Sequence, residues 1–179
     1  MTDFYPKGDN PPAGTETGTF RFRHLSVMDV NLDYQAVIAS RDFLQKWSQS
    51  TWPEDDFTLA DNLRDLERHE REHKEKSAFT YTIMDLVEKE CLGCIYIHPL
   101  NNPLREAKVC KGSKEQGRSF AAWVSFWVRE EWISRGLEEE VLKELIRWLR
   151  ADWPFHCVLL RTSHQAERQK QLFERLGLQ

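Results

Sequence analysis

The chain has 179 residues, 40% of them hydrophobic and 30% charged, the proportions of one domain that can bury a core without disulfides or metals. Lys and Arg total 25 against 29 Asp and Glu, a net charge of −4, with no basic block or aromatic-basic stripe; nucleic acid and anionic membrane are disfavoured as partners. No apolar run approaches the roughly 18 residues of a membrane span. Residues 1–18 are polar, rich in Pro and Gly, and lack the basic start and apolar stretch of a secretion signal. They read as a flexible tail before a single domain at 19–179, expected in the cytoplasm with its four cysteines as thiols.

Residues 20–25 alternate apolar and polar side chains, as a half-buried strand does. Ser26, three residues before Asp29, is a capping-box signal, and Tyr34, Val37, Ile38, Phe43 and Leu44 predict an amphipathic helix ending near Trp47. Trp52-Pro53 marks a turn, after which Thr58 and Asp61 repeat the capping pattern and open a charged helix to about Lys76. Strands are expected at 78–87 and 91–98, joined by Glu88-Lys89-Glu90 as a hairpin. A loop at 101–118, with Pro103, Gly112 and Gly117, leads to an aromatic and β-branched strand at 120–128 that should lie beside 91–98. Leu137, Val141, Leu142, Leu145, Ile146 and Leu149 recur at helical spacing until Asp152-Trp153-Pro154 stops them. A buried strand at 156–161 and a last helix through Ala166, Leu172, Phe173 and Leu176, closed by Gly177, complete the order. Strand, two helices, three strands, helix, strand, helix is an α/β (α+β) arrangement with a mixed sheet.

Two motifs have ready chemical readings that their surroundings weaken. His69-Glu70-Arg71-Glu72-His73 fits H-E-x-x-H, whose histidines share a helix face and bind zinc. Arg64, Asp65, Glu67, Arg68, Lys74 and Glu75 make the helix polar nearly all round, however, and the stretch reads as a charged solvated helix without a metal. Cys91-Leu92-Gly93-Cys94 runs into strand rather than a helix N-terminus, and Cys110 and Cys157 are single and distant, so these are core cysteines. His98, where a strand ends before Pro99, has the near-neutral pKa that makes it the candidate general base.

Three segments carry a resemblance. They are Phe20-Arg21-Phe22-Arg23-His24-Leu25 with Asp29; Trp127-Val128-Arg129 followed by Gly136-Leu137 and Val141-Leu142-Lys143-Glu144-Leu145; and Leu172-Phe173-Glu174-Arg175-Leu176-Gly177-Leu178. In this order, from about 20 to 178, the chain resembles the GCN5-related N-acetyltransferases. The resemblance implies a mixed central sheet flanked by helices, with the family's closing β-hairpin missing; the tail or a second subunit, as in a homodimer, would replace that wall. Acetyl-CoA is the implied cosubstrate, with no metal, and the acceptor is an amine of a small molecule or peptide. Trp127 and Val128 would pair with pantetheine, while Arg129, Ser134, Arg135, Gly136 and Leu137 surround the pyrophosphate at a helix N-terminus. The acceptor pocket falls to Trp47, Trp52, Asp55, Asp56 and Tyr96, where aromatics and carboxylates suit a cationic amine.

The sequence departs from the family at three places. Its phosphate pattern of Gln or Arg, two residues, Gly, one residue, then Gly or Ala lies on Ile133-Ser134-Arg135-Gly136-Leu137-Glu138, where Gly136 alone matches. Glu138 either faces the phosphate site and repels it or is an ordinary helix-entry glutamate beside Glu139 and Glu140. Phe173 stands where the family's tyrosine acid would be, and the strand at 120–128 holds no carboxylate, only Ser125. The alternative reading is a non-catalytic acetyltransferase-like binding module whose cofactor site Glu138 closes.

Overall fold

The computed structural model describes residues 4–100 and 120–178. Six strands form one sheet in chain order: β1 (Gly14–Glu16), β2 (Phe20–His24), β3 (Phe79–Asp85), β4 (Cys91–Pro99), β5 (Phe120–Val128) and β6 (Phe155–Leu160). All neighbours are antiparallel except β5 and β6, which are parallel, so the mixed sheet and the β4–β5 adjacency both emerge as the sequence implies. The helices are α1 (Val30–Ala39), α2 (Arg41–Ser48), α3 (Leu59–Glu75), α4 (Glu130–Ile133), α5 (Leu137–Asp152) and α6 (Glu167–Arg175). No helix among the described residues is long and apolar enough to cross a membrane.

Two apolar clusters hold the layers. On one face, α5 drives Val141, Leu142, Leu145 and Trp148 into Phe22, Tyr81, Val124 and Phe126 of the sheet. Each such side chain contributes roughly 1.5–3 kcal/mol by leaving water. On the other face, α1 and α2 bring Ala36, Val37 and Leu44 onto Met84, Cys91, Cys94 and Trp127. Both capping boxes form, Ser26 with Asp29 and Thr58 with Asp61. The helix expected as one piece from Tyr34 to Trp47 breaks at Ser40, whose buried hydroxyl accepts from the Glu130 N–H at 3.3 Å. A polar side chain serving a distant backbone leaves no trace in local periodicity.

The expected tail is anchored from residue 4 onward. β1 pairs with β2, Phe4 stacks between Phe79 and Phe155, and Tyr5 is 4% exposed. Pro and Gly in the segment hid two aromatics with core to reach. The charged helix α3 is also less solvated than its composition implies: Asn62, Leu66 and His69 form a buried stripe toward the sheet. The His69 ring nitrogen Nδ1 lies 3.0 Å from the Thr80 hydroxyl, and the His73 ring packs 3.7 Å from that of His24. Both imidazoles are thus engaged with the sheet, and burial lowers their pKa values to about 3 and about 4.

A bulge at Ile83/Met84 shifts the β3–β4 register, so that Cys91 and Cys94 both face the α1 side. Gly93 sits within it at φ 154°, where an added Cβ would meet the Trp127 carbonyl oxygen at 2.0 Å; no other residue fits. Cys91 and Cys94 are free and buried. Cys157 is disulfide-bonded, which corrects the expectation of four thiols; cysteine spacing alone does not say which side chains meet in space. Cys110 and the expected 101–118 loop lie outside the described residues.

Candidate active site

β5 and β6, the last two strands of the sheet, part company near its edge. Their last paired residues are Val124 and Leu160, closed by the Arg161 N–H donating to the Val124 carbonyl at 2.7 Å, while β5 continues to Val128 paired with β4 only. A cavity of about 340 Å³ opens beside this parting, walled by α1, α2, α3, β4 and the start of the loop after β6. Trp47, Trp52, Tyr96 and His98 line it together. Asp55 and Asp56 are exposed on the loop before α3 and do not; Arg41 engages the Asp55 backbone carbonyl at 3.2 Å.

The cavity is aromatic with two polar ends. At the inner end, Asp33 is 4% exposed and accepts from the Asn62 amide at 2.9 Å and the Cys94 thiol at 3.4 Å. Burial raises its pKa to about 6, so it titrates close to neutrality. With Cys91 and Cys94 its ligand atoms form a cluster within 4.8 Å, but neither thiol lines the cavity. At the outer end, the Arg161 guanidinium lies 5.1 Å from the centre of the Trp123 ring, and His98 stacks on Trp123 at 4.3 Å. Burial, then the charges of Arg68 and Arg161, lower His98 to about 4. It is therefore a neutral hydrogen-bonding group at physiological pH rather than the near-neutral base its position in the sequence suggests.

Sequence reasoning missed Asp33, Asn62, Trp123 and Arg161. Asp33 left one signal: it stands three and four residues before Ala36 and Val37, on the same stripe of α1. A carboxylate on a buried stripe is a functional candidate by placement alone. Arg161, at the end of the apolar run Val158-Leu159-Leu160, reads as a strand boundary until the fold turns it toward Trp123.

The turn from β5 into α5 is where the other expected residues gather. Trp127 is fully buried and donates from Nε1 to the Tyr96 hydroxyl at 3.2 Å; Val128 is buried on the opposite face. Arg129 bridges Glu90 and Glu131, both at 2.7 Å. Ser134 and Arg135 are exposed, the latter's guanidinium lying over the Trp132 ring at 4.4 Å. Gly136 adopts φ 84° with no atom within 4 Å of an added Cβ, an open cradle at the N-terminus of α5. The amides of Trp132, Arg135 and Gly136 bond within the turn, and those of Leu137 and Glu138, in the first turn of α5, have no backbone acceptor among the described residues.

Glu138 is neither of the simple alternatives its sequence position offers. It is 3% exposed, and its carboxylate accepts from Arg168 at 3.1 Å and from Gln169 at 3.3 Å, both on α6. The same Gln169 amide donates to the Phe126 carbonyl at 3.2 Å, on the stretch of β5 beyond its pairing with β6. Phe173 packs its ring 6.4 Å from that of Phe126 and offers no proton.

A sheet that splays between two parallel strands beside a glycine turn and a helix N-terminus presents backbone amides that suit an anionic group. Residues 41–178 match the acetyltransferase (GNAT) family, and the chain belongs to it. No curated protein matches the chain. Among solved structures, a RimL ribosomal L7/L12 α-N-protein acetyltransferase in complex with coenzyme A is similar at 16% identity and TM-score 0.64, covering 93% of this chain and 82% of that one. A ribosomal-protein-S5-alanine acetyltransferase from Vibrio fischeri gives 16% and 0.67, with the same coverage of 93% and 82%. The microcin C7 self-immunity acetyltransferase MccE, in complex with acetyl-CoA and AMP, gives 10% and 0.67, again covering 93% and 82%. At these identities the likeness is one of fold.

Proposed function

We propose that the protein transfers an acetyl group from acetyl-CoA to an amine seated in the aromatic cavity. The observation that carries this reading is the placement of the cavity directly against the parting of β5 and β6, next to the open turn at Gly136. The cradle fits the cosubstrate in shape. It fits in charge only in part: Arg168 pairs with Glu138 at 3.1 Å and offsets some of the repulsion that carboxylate exerts on a phosphate. The N–H groups of Leu137 and Glu138 would hold the phosphates, and the free edge of β5 from Ser125 to Val128 would align the pantetheine arm once the Gln169 amide yields the Phe126 carbonyl.

When bound, acetyl-CoA supplies a thioester carbonyl. The chain's own residues do the rest. Trp47, Trp52 and Tyr96 exclude water around the acceptor, which favours its neutral, nucleophilic amine. Asp33, with its pKa raised to about 6, takes the amine proton, directly or through one water, and Asn62 holds the carboxylate in place at 2.9 Å. His98 accepts a hydrogen bond from the acceptor without storing its proton. On the thiol side Phe173 is inert, so water delivers the proton, which a leaving group of near-neutral pKa tolerates.

A second reading is favoured by one observation: the Glu138 carboxylate and the Gln169 amide already occupy the phosphate turn and the β5 edge. On that reading the domain binds a ligand in the cavity without transferring anything. Calorimetry with acetyl-CoA, followed by mass-spectrometric detection of acetylated amines, separates the two. Micromolar binding and an acetylated product support transfer; no heat at millimolar acetyl-CoA supports the binding module.

A further inference from the structure

We infer that the cavity selects an amine that also carries a carboxylate, a free amino acid or an equally small molecule of that kind. The inference deepens the acetyl-transfer reading and rests on it only for the fate of the amine, not for binding.

Arg161 is the first argument. Among the described residues it has no carboxylate within ion-pair range, whereas neighbouring Arg68 is committed to Asp65 at 3.0 Å and Glu72 at 3.6 Å. Its guanidinium is held over the face of Trp123, which orients the fork while leaving its N–H edge available. Two lining residues, Trp47 and Thr162, also carry donors without a partner among the described residues; both atoms are buried and meet a ligand only when their side chains turn toward it. Leaving such groups dry is costly, and a ligand rich in acceptor oxygens satisfies them. A guanidinium, an indole N–H and a hydroxyl around one cavity are the complement of a carboxylate.

The inner end has the opposite character. Asp33 and Asn62 face the same space, and Asp33 is the group suited to an amine. Between the two ends lies the cross-strand pair Tyr96–Ser125, one residue beyond Val124, whose carbonyl fixes the Arg161 backbone. Both ends line one cavity, so a single small molecule can meet both. A volume of about 340 Å³ holds a small molecule and excludes a folded protein surface. The aromatic walls supply the contact for an apolar side chain.

The test needs no acetyl-CoA. Quenching of tryptophan fluorescence, from Trp47, Trp52 and Trp123, is titrated with the twenty standard amino acids, with their carboxamides, and with the N-acetyl derivative of the tightest binder. At least one free acid should bind about tenfold or more tighter than its amide, as a charge-assisted bidentate contact requires. Arg161→Gln should abolish that preference, Arg161→Lys should keep part of it, and thermal melts should show both variants folded, since Arg161 is exposed. Equal binding of acid and amide, undiminished preference in Arg161→Gln, or no binding across the panel would overturn the inference. Selective acid binding in a protein that takes up no acetyl-CoA would instead sink the transferase reading and leave this one standing.

Discussion

Replacing Glu138 by alanine removes a carboxylate that is 3% exposed and restores the small residue of the family's phosphate turn. A phosphate charge ~5 Å from that carboxylate is opposed by about 3 kcal/mol at an effective dielectric near 20. Arg168, 3.1 Å from Glu138, returns part of this, but its side chain is 46% exposed and its field is screened. The net gain in acetyl-CoA affinity should be about tenfold to a hundredfold, or ~1.4–2.8 kcal/mol. Stability moves the other way. Arg168 can rehydrate, and buried Gln169 keeps the Phe126 carbonyl but loses one acceptor, so a cost of about 1–2 kcal/mol follows. Calorimetric titration of parent and variant at low and high salt reads the first quantity; urea unfolding reads the second. Relief of repulsion must shrink as salt rises. A parent that already binds tightly, with a variant of unchanged affinity, would refute the idea that Glu138 obstructs the turn.

Further outcomes concern pH and packing. Asp33 has a folded pKa near 6 against 3.8 for the free side chain, so its proton stabilises the fold fully below about pH 4, and that contribution is lost as pH rises through 6. About 2 units correspond to ~3 kcal/mol, and Asp33→Asn should therefore be more stable than the parent at pH 7 in urea titrations while losing the acid-side gain. The histidines act with the opposite sign: His69, at about 3, and His73 and His98, at about 4, contribute stability above 6.5 that disappears as pH falls toward 4. His24 is lowered by burial as well, so with four imidazoles against one carboxyl the melting temperature should fall steeply over that window, and a flat profile would contradict the burial of the imidazoles. Leu145→Ala empties the interface between α5 and the sheet and should cost about 2–5 kcal/mol in urea unfolding, with a loss under 1 kcal/mol showing that the helix packs loosely.

The element order was legible because most of this fold is local pattern: alternation at Phe20–His24, capping boxes at Ser26 and Thr58, and the 3.6-residue recurrence along α5. What stayed hidden depends on contacts remote in sequence. Ser40 breaks a helix for the sake of Glu130, and Thr80 gives buried His69 a polar partner, so a helix rich in charge still buries a stripe. The site divides in the same way. Trp47, Trp52, Tyr96 and His98 share a cavity as a pocket assembled from aromatic residues would. Asp33 and Arg161 matter through what surrounds them, and surroundings are not written in one dimension. Glu138 shows the limit most clearly: its misfit to the family pattern was visible, but its partners Arg168 and Gln169 lie thirty residues further on.

The bulge that turns Cys91 and Cys94 to one side of the sheet also gives the molecule an internal clock. Both thiols lie buried under α1 and α2, and the hydrogen bond with Cys91, then burial and the Asp33 charge, push the Cys94 pKa well up, so Cys94 is no nucleophile while the helices stay down. A thiol-reactive dye can reach them only when that layer lifts. The labelling rate therefore times the opening of the cavity's helical wall, and an acceptor that bridges Asp33 to Arg161 should slow it in proportion to occupancy.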